Sequence, residues 1–115
     1  MVLINSTEFG SITIDGKIYY TDVIVSWDGE IKEARTFARH FFDNNEFEQL
    51  MRKNPEVIII GTGDSGYLKV SDEARKLCKQ RNVEIIDIVS KKAIEKFNEN
   101  LKRGKRVIGF IHITC

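Results

Sequence analysis

Three features are scarce in this sequence, and each scarcity excludes a class of protein. Two cysteines, Cys78 and Cys115, are too few for a disulfide framework, so we expect a reduced, cytoplasmic setting. No apolar run is long enough to span a membrane, and the opening residues lack the basic start and apolar stretch of a signal peptide. With a single proline and no linker-like segment, residues 1–115 are predicted to form one soluble domain.

Charge is abundant, but it is spread unevenly along the chain. Residues 1–68 carry 6 basic and 11 acidic side chains, whereas residues 69–115 carry 12 basic and 6 acidic ones. Such a split occurs on surfaces that bind an anion or nucleic acid, and also in domains whose oppositely charged faces are simply solvated. The basic cluster within residues 102–106 has no interleaved aromatic side chains, so nucleic-acid binding is disfavoured.

The first part of the chain predicts antiparallel strands. Three segments alternate, or are rich in β-branched and aromatic residues, namely FGSITI, KIYYTDVIVSW and EIKEARTF. Asp-Gly pairs at 15–16 and 28–29 predict tight turns between them. We therefore expect an antiparallel hairpin or meander, followed by a loop at ARHFFDNN, where no periodicity is evident.

The second half of the chain predicts strand, helix, strand, helix, strand. The predicted strands are VIII, VEIIDIV and RVIGFIHITC, and the helices between them are predicted to start at the caps Ser71 and Ser90. An earlier helix is predicted from a cap at Asp43 or Asn45 to about Lys53. Since strands joined by helices usually pair in parallel, we expect an α/β fold in which a βαβαβ unit forms a mixed sheet.

The stretch VIIIGTGDSG matches the dinucleotide-binding pattern G-x-G-x-x-G at Gly61, Gly63 and Gly66. Asp87 lies 21 residues beyond Gly66, where an acidic partner for ribose belongs. In a dinucleotide site, however, the helix opens inside the glycine run, and the cap Ser71 comes later here. We interpret Gly61 and Gly63 as required by backbone geometry where a buried strand ends, with a small-anion pocket as the alternative.

Three more polar positions near this region are candidates for a site. Asp64 and Ser65 fit an acid and a nucleophile, and fit equally well a turn whose side chains bond the backbone. No P-loop lysine follows the glycines. Asn98 lies on the apolar stripe of the last helix, where its amide must find a partner. That partner is either loop backbone, including the glycine loop, or a pocket.

The ending HITC offers a histidine and a cysteine. On an extended strand His112 and Thr114 share one face, while Ile113 and Cys115 share the other, so His112 and Cys115 do not form a pair within the strand. The scattered His and Cys residues lack the spacing of zinc ligands. We interpret His112 as structural and Cys78 as a core residue, and we expect no metal and no cofactor.

Several of these segments together resemble a known family. They are FGSITIDGKIYYTDVIV, IIIGTG, the helix from Ala93 to Asn98, and RVIGFIHITC. The family is one of small domains of unknown function, and it includes the adipogenesis-associated domain protein and mitochondrial complex I assembly factor 3. The resemblance spans nearly the whole chain. It implies a compact three-layer β/β/α domain with helices covering one face, and no established reaction. Relatives often have Tyr at Phe97 and a more basic loop around Arg39 and His40.

The sequence thus predicts a small non-enzymatic binding or assembly domain that acts through a protein partner or a small ligand, as a monomer or small homo-oligomer. The alternative is a pocket at the GTGDSG loop that binds, and can act on, a small anionic metabolite, favoured by a nearby helix N-terminus. The predicted lining of that pocket is Gly61, Thr62, Gly63, Asp64, Ser65 and Asn98.

Overall fold

The computed structural model describes residues 1–34, 41–42 and 44–115. In chain order these residues form β1 (Ile4–Glu8), β2 (Ser11–Ile14), β3 (Lys17–Tyr19), β4 (Asp22–Ser26), β5 (Ile31–Ala34), β6 (Phe41–Phe42), α1 (Asn44–Met51), β7 (Val57–Thr62), β8 (Lys69–Val70), α2 (Asp72–Gln80), β9 (Glu84–Ile88), α3 (Ser90–Lys102) and β10 (Val107–His112). The predicted class, α/β with an antiparallel portion and a mixed sheet, is confirmed.

A five-stranded sheet in the order β5-β4-β10-β7-β9 forms the middle of the molecule. β10, β7 and β9 run parallel, while β4 and β5 are added as antiparallel pairs. Every residue of β7 and β10 is buried, because layers cover both faces of the sheet, and such strands require continuous apolar runs. The register places Thr62 beside His112 where β7 and β10 end.

The two faces of this sheet belong to different cores. Ile58 and Ile60 pack against α1 and α2 on one face. Val57 and Ile59 pack on the other face, against α3 and the small sheet β1-β2-β3. The expected sheet-on-sheet layering is present, but α3 lies on the same side as the small sheet. Helices therefore cover both faces of the central sheet, not one as the resemblance implied.

The N-terminal strands divide between two sheets instead of forming one continuous meander. The predicted strand KIYYTDVIVSW is interrupted, since β3 stays with β2 and β4 joins β10. Where the chain leaves the small sheet, Asp22, the first residue of β4, is buried and meets His112. β1 was not predicted: only Ile4 and Thr7 are buried in it, and a bulge interrupts their alternation.

The predicted cap of α2 is confirmed, the predicted cap of α3 is wrong, and of the two alternatives for α1 the structure excludes Asn45. The hydroxyl of Ser71 accepts a hydrogen bond from Ala74 N at 3.0 Å, so Ser71 caps α2 as predicted. Asn45 lies inside α1, which begins at Asn44, and so does not cap it. Ser90 is the first residue of α3, and no side-chain cap is formed there.

Part of the predicted loop ARHFFDNN lies outside the described residues. Residues 38–40, which include Arg39 and His40, and the candidate cap Asp43 belong to that part. The two residues of β6, between them, pair in parallel with β8.

Candidate functional site

Gly61 belongs to a close-packed strand and not to an open loop. β7 continues through Thr62, so both residues lie within the sheet. A Cβ on Gly61 would lie 2.8 Å from Ser90 Oγ and 3.1 Å from a side-chain atom of Ile111. Protein interiors have no room for such approaches. Glycine fits here because side chains of α3 and β10 both lie against the strand, so the reason is close packing and not an unusual backbone conformation.

Gly63 makes the turn out of the strand. Its φ is +104°, a conformation that residues with a Cβ rarely adopt, and an added Cβ would lie 2.6 Å from the backbone of Cys115. Two independent constraints therefore require glycine. Asp64 and Ser65 follow and are exposed, so the turn folds tightly over the segment after β10 and presents two polar side chains outward.

Three backbone donors of this turn bond to acceptors inside the molecule. Asp64 N donates to Thr114 O at 2.7 Å, and Tyr67 N donates to Cys115 O at 2.9 Å. Gly63 N donates to the hydroxyl of Ser90 at 2.9 Å. A phosphate-binding loop presents such N–H groups to its ligand. Here the same groups hold the segment after β10 in place.

The other elements of a dinucleotide site serve different roles. The carboxylate of Asp87 accepts two hydrogen bonds from Arg75, at 3.0 and 2.6 Å, and this partner raises the pKa of the Arg75 guanidinium. The first turn of α2 carries Asp72 and Glu73, which supply negative charge where an anion would bind. Asp87 thus ties α2 to β9.

Ser90 connects the turn to β10. Its hydroxyl accepts from Gly63 N and donates to His112 O at 2.5 Å, while Ser90 N donates to Gly63 O at 3.0 Å. The side chain is buried. A serine at a helix start is the usual signal of a cap, so the sequence could not distinguish this role from capping.

A second buried polar cluster lies on β4 and β10. His112 Nδ1 is 2.9 Å from Asp22 Oδ2, and its Nε2 is 3.1 Å from the hydroxyl of Thr114. The other oxygen of Asp22 accepts from Ile113 N at 2.8 Å. His112 and Thr114 share a face, as the strand period predicts, and His112 has a structural partner. Asp22 itself was missed, although a lone carboxylate within an apolar strand was a signal.

The amide of Asn98 bonds to β1 and not to the glycine segment. Its amide accepts from Ile4 N at 3.2 Å and donates to Ile4 O at 2.9 Å. This pairing completes the backbone hydrogen bonds of one β1 residue with a helix side chain. Five residues of the predicted lining, Gly61 to Ser65, are consecutive in the chain. Asn98, the sixth, joins α3 to β1.

Both cysteines are free thiols. Burial raises the pKa of Cys78 to about 11, which keeps that core thiol protonated at neutral pH. Over the described residues, no group of three or more His, Cys, Asp and Glu side chains is arranged to hold a metal ion. Nor does any helix in that part of the chain combine the length and apolar character needed to cross a bilayer.

Several segments meet where β7 and β10 end. Gly10 N, in the turn between β1 and β2, donates to Ile113 O at 2.7 Å. Tyr67 N bonds the carbonyl of Cys115 two residues further on. Lys91 in α3 lies 3.7 Å from Glu8 at the end of β1. The β1–β2 turn, the glycine turn and the start of α3 therefore surround the segment that follows β10.

This edge of the molecule exposes aromatic rings. Phe9 is 65% exposed, Tyr67 60% and Tyr20 72%. Tyr20 lies between β3 and β4, two residues before Asp22, which meets the end of β10. Asp64 and Ser65 are exposed beside them. We call the set Phe9, Tyr20, Asp64, Ser65 and Tyr67 the edge surface.

Comparison with known proteins shows the family. The family described as "Protein of unknown function (DUF498/DUF598)" matches residues 4–112, and the chain belongs to it. Among solved structures, the chain is similar to the conserved hypothetical protein PH1505 from Pyrococcus horikoshii OT3, with 28% identity and a TM-score of 0.84 over 97% of this chain and 98% of that one.

Two further structures share the fold. A protein titled MT938 is 30% identical, with a TM-score of 0.83 and full coverage of both chains. A protein from Bordetella pertussis, described as a Mth938-like domain, is 14% identical, with a TM-score of 0.71 over 96% of this chain and 85% of that one. The last likeness concerns the fold alone.

Proposed function

We propose that this chain is a small non-enzymatic binding domain that acts through a protein partner at the edge surface. The observation that carries this proposal is that three exposed aromatic residues, Phe9, Tyr20 and Tyr67, lie on segments that are hydrogen-bonded to residues 112–115. Single exposed apolar side chains are ordinary, but clustered ones mark interaction sites. Aromatic side chains also dominate the energetics of protein interfaces.

Backbone hydrogen bonds to residues 113–115 hold part of the edge surface in place. The backbone at Tyr67 and the turn after Phe9 are both bonded to residues 113–115, so little order has to be gained on binding. A matching partner segment offers apolar side chains to cover the rings and a basic group for Asp64. The resemblance to a family with members linked to complex assembly supports a partner of this kind, and two free thiols support a reduced, cytoplasmic setting.

The alternative, a small anionic ligand at the glycine segment, has weaker support. An anion there would meet the carboxylate of Asp64, while the N–H groups of Gly63, Asp64 and Tyr67 already have acceptors. Binding would have to break those hydrogen bonds. A protein partner that covers exposed rings needs no such rearrangement.

Site-specific photo-crosslinking in the native host tests the proposal. A benzophenone amino acid is placed at Phe9 or at Tyr67, and, as a matched control, at Leu3. Leu3 is also exposed, but it is bonded to Asp15 at the opposite end of β1. We expect one discrete protein crosslinked from Phe9 and Tyr67 and not from Leu3. A second copy of this chain would identify a homo-oligomer.

Two variants complete the test with purified components. The double variant Phe9→Ser/Tyr67→Ser should lose the crosslinked partner while keeping the native melting temperature, since both rings are exposed. The variant Leu3→Ser should retain the partner. Equal crosslinking from all three positions would contradict the proposal. So would a specific turnover in cell extract that is abolished by Asp64→Ala or Ser65→Ala.

A further inference from the structure

A cavity of about 440 Å³ lies between α1 and the β5-β4-β10 side of the central sheet. Its apolar floor consists of Ile24, Ile108 and Phe110. This volume, with an apolar floor and a few polar groups, is typical of sites for small molecules. The cavity shares no residue with the edge surface, so it is a separate candidate binding site.

Ser26 lines this cavity from the sheet. Strand alternation places it on the same face as Ile24, and it is paired with Ile108 across the sheet. The residue is only 1% exposed, and its backbone N–H donates to Glu30. Across residues 1–34, 41–42 and 44–115, its hydroxyl has no hydrogen-bond partner. Because Ser26 lines the cavity, an acceptor atom of a ligand bound there would give this hydroxyl a hydrogen bond.

The charges at the rim leave one cation available for an anion. Both signs line the cavity, as Lys32, Arg52, Lys53, Glu30, Glu33 and Glu46. Glu30 is held by Lys53 at 2.9 Å, whereas Lys32 approaches it only at 3.9 Å. Arg52 forms no ion pair within the described part of the chain. Arg52 is therefore available for a carboxylate, which a guanidinium can bind through two hydrogen bonds.

We propose that this cavity binds a small carboxylate whose apolar body carries a second acceptor oxygen, such as an oxocarboxylic acid. Arg52 takes the carboxylate at the rim. The apolar body lies on the Ile24 and Ile108 floor, and the Ser26 hydroxyl donates to the second oxygen. No bond is made or broken, so the activity assigned is binding.

A matched pair of probes, levulinate and pentanoate, tests this assignment by calorimetric titration and methyl NMR of the full chain. The two differ by one keto oxygen, and pentylamine serves as the charge control. We expect saturable binding of levulinate, roughly three- to tenfold tighter than pentanoate because of the additional hydrogen bond. The methyl shifts should concentrate at Ile24 and Ile108, and pentylamine should not bind.

Three variants separate the roles of the residues. Arg52→Gln should weaken both carboxylates about tenfold, whereas Arg103→Gln, an exposed arginine at the end of α3, should change neither. Ser26→Ala should remove the preference for levulinate without lowering the melting temperature, because no protein partner is lost. Any of four results would overturn the assignment. They are no saturable binding of levulinate, binding of pentylamine, equal effects of the two arginine variants, and a preference for levulinate that survives Ser26→Ala.

Discussion

His112 Nδ1 lies 2.9 Å from Asp22 Oδ2, although the two residues are 90 positions apart in the chain. Both side chains are buried. Asp22 also accepts a hydrogen bond from Ile113 N, so a single carboxylate holds the start of β4 against the end of β10. The edge surface is built around this connection.

Asp22→Asn should therefore destabilise the fold. The amide has only one acceptor oxygen for the two groups that Asp22 now satisfies, and removing one member of a buried pair leaves the other uncompensated. We expect a loss of about 2–4 kcal/mol in the free energy of unfolding measured by urea denaturation. The exposed Asp64→Asn serves as control and should change it by less than about 0.5 kcal/mol. Equal effects would show that the Asp22–His112 contact does not stabilise the fold.

Gly63→Ala should cost more than Gly29→Ala. Both glycines have strongly positive φ, +104° and +92°, but a Cβ meets the Cys115 backbone at Gly63 and nothing within 4 Å at Gly29. Each variant bears backbone strain of about 1–3 kcal/mol, and only Gly63→Ala adds a steric overlap. Urea denaturation of the pair measures the difference. Equal losses would indicate that the turn is not packed against this segment.

Ser90→Ala should loosen the turn and leave α3 intact. The hydroxyl bonds Gly63 and His112 but caps no helix, so its loss should cost about 1–3 kcal/mol. Hydrogen exchange should become faster at the Gly63 amide while the first-turn amides of α3 keep their rates. The true cap variant, Ser71→Ala, should instead raise exchange at Ala74. Faster exchange in the first turn of α3 on Ser90→Ala would restore the capping interpretation.

Because of Cys78, the free energy of unfolding should fall at alkaline pH. Burial raises its pKa from 9.0 to about 11, so the unfolded thiol ionises first as pH rises. The contribution is fully present below pH 9.0 and is lost between 9.0 and about 11, with a total of about 3 kcal/mol.

Comparison with Cys78→Ala isolates this effect. Lysine and tyrosine groups titrate in the same range in both proteins, so the difference between the two stability curves reports the thiol. We expect that difference to shrink steadily across the alkaline range. A constant difference would mean that the thiol has an ordinary pKa in the folded protein.

The sequence predicted best those elements whose burial is continuous or whose signals are local. β7 and β10 are covered on both faces, and their apolar runs show it. The cap at Ser71 depends only on a residue three positions away. β1 was missed because its alternation is broken by a bulge, and the division between β3 and β4 was missed because it depends on a contact with distant β10.

The chemistry of the candidate sites was harder to predict than the fold. Ser90 has the same local sequence signal whether it caps a helix or bridges two loops. Ser26 and Arg52 line the same cavity only because of the way α1 lies on the sheet. The sequence alone does not show that they are close together. Glycine spacing suggested a phosphate loop, but spacing alone carries no information about where the N–H groups point.

Amide NMR of the glycine segment tests the central claim most directly, which is that this segment is a closed junction supporting a partner-binding edge. Hydrogen exchange is measured at Gly63, Asp64 and Tyr67 without and with millimolar inorganic phosphate. We predict slow exchange at all three amides and no saturable shift, because their acceptors are Ser90, Thr114 and Cys115. Fast exchange together with a saturable phosphate shift at these amides would contradict the account.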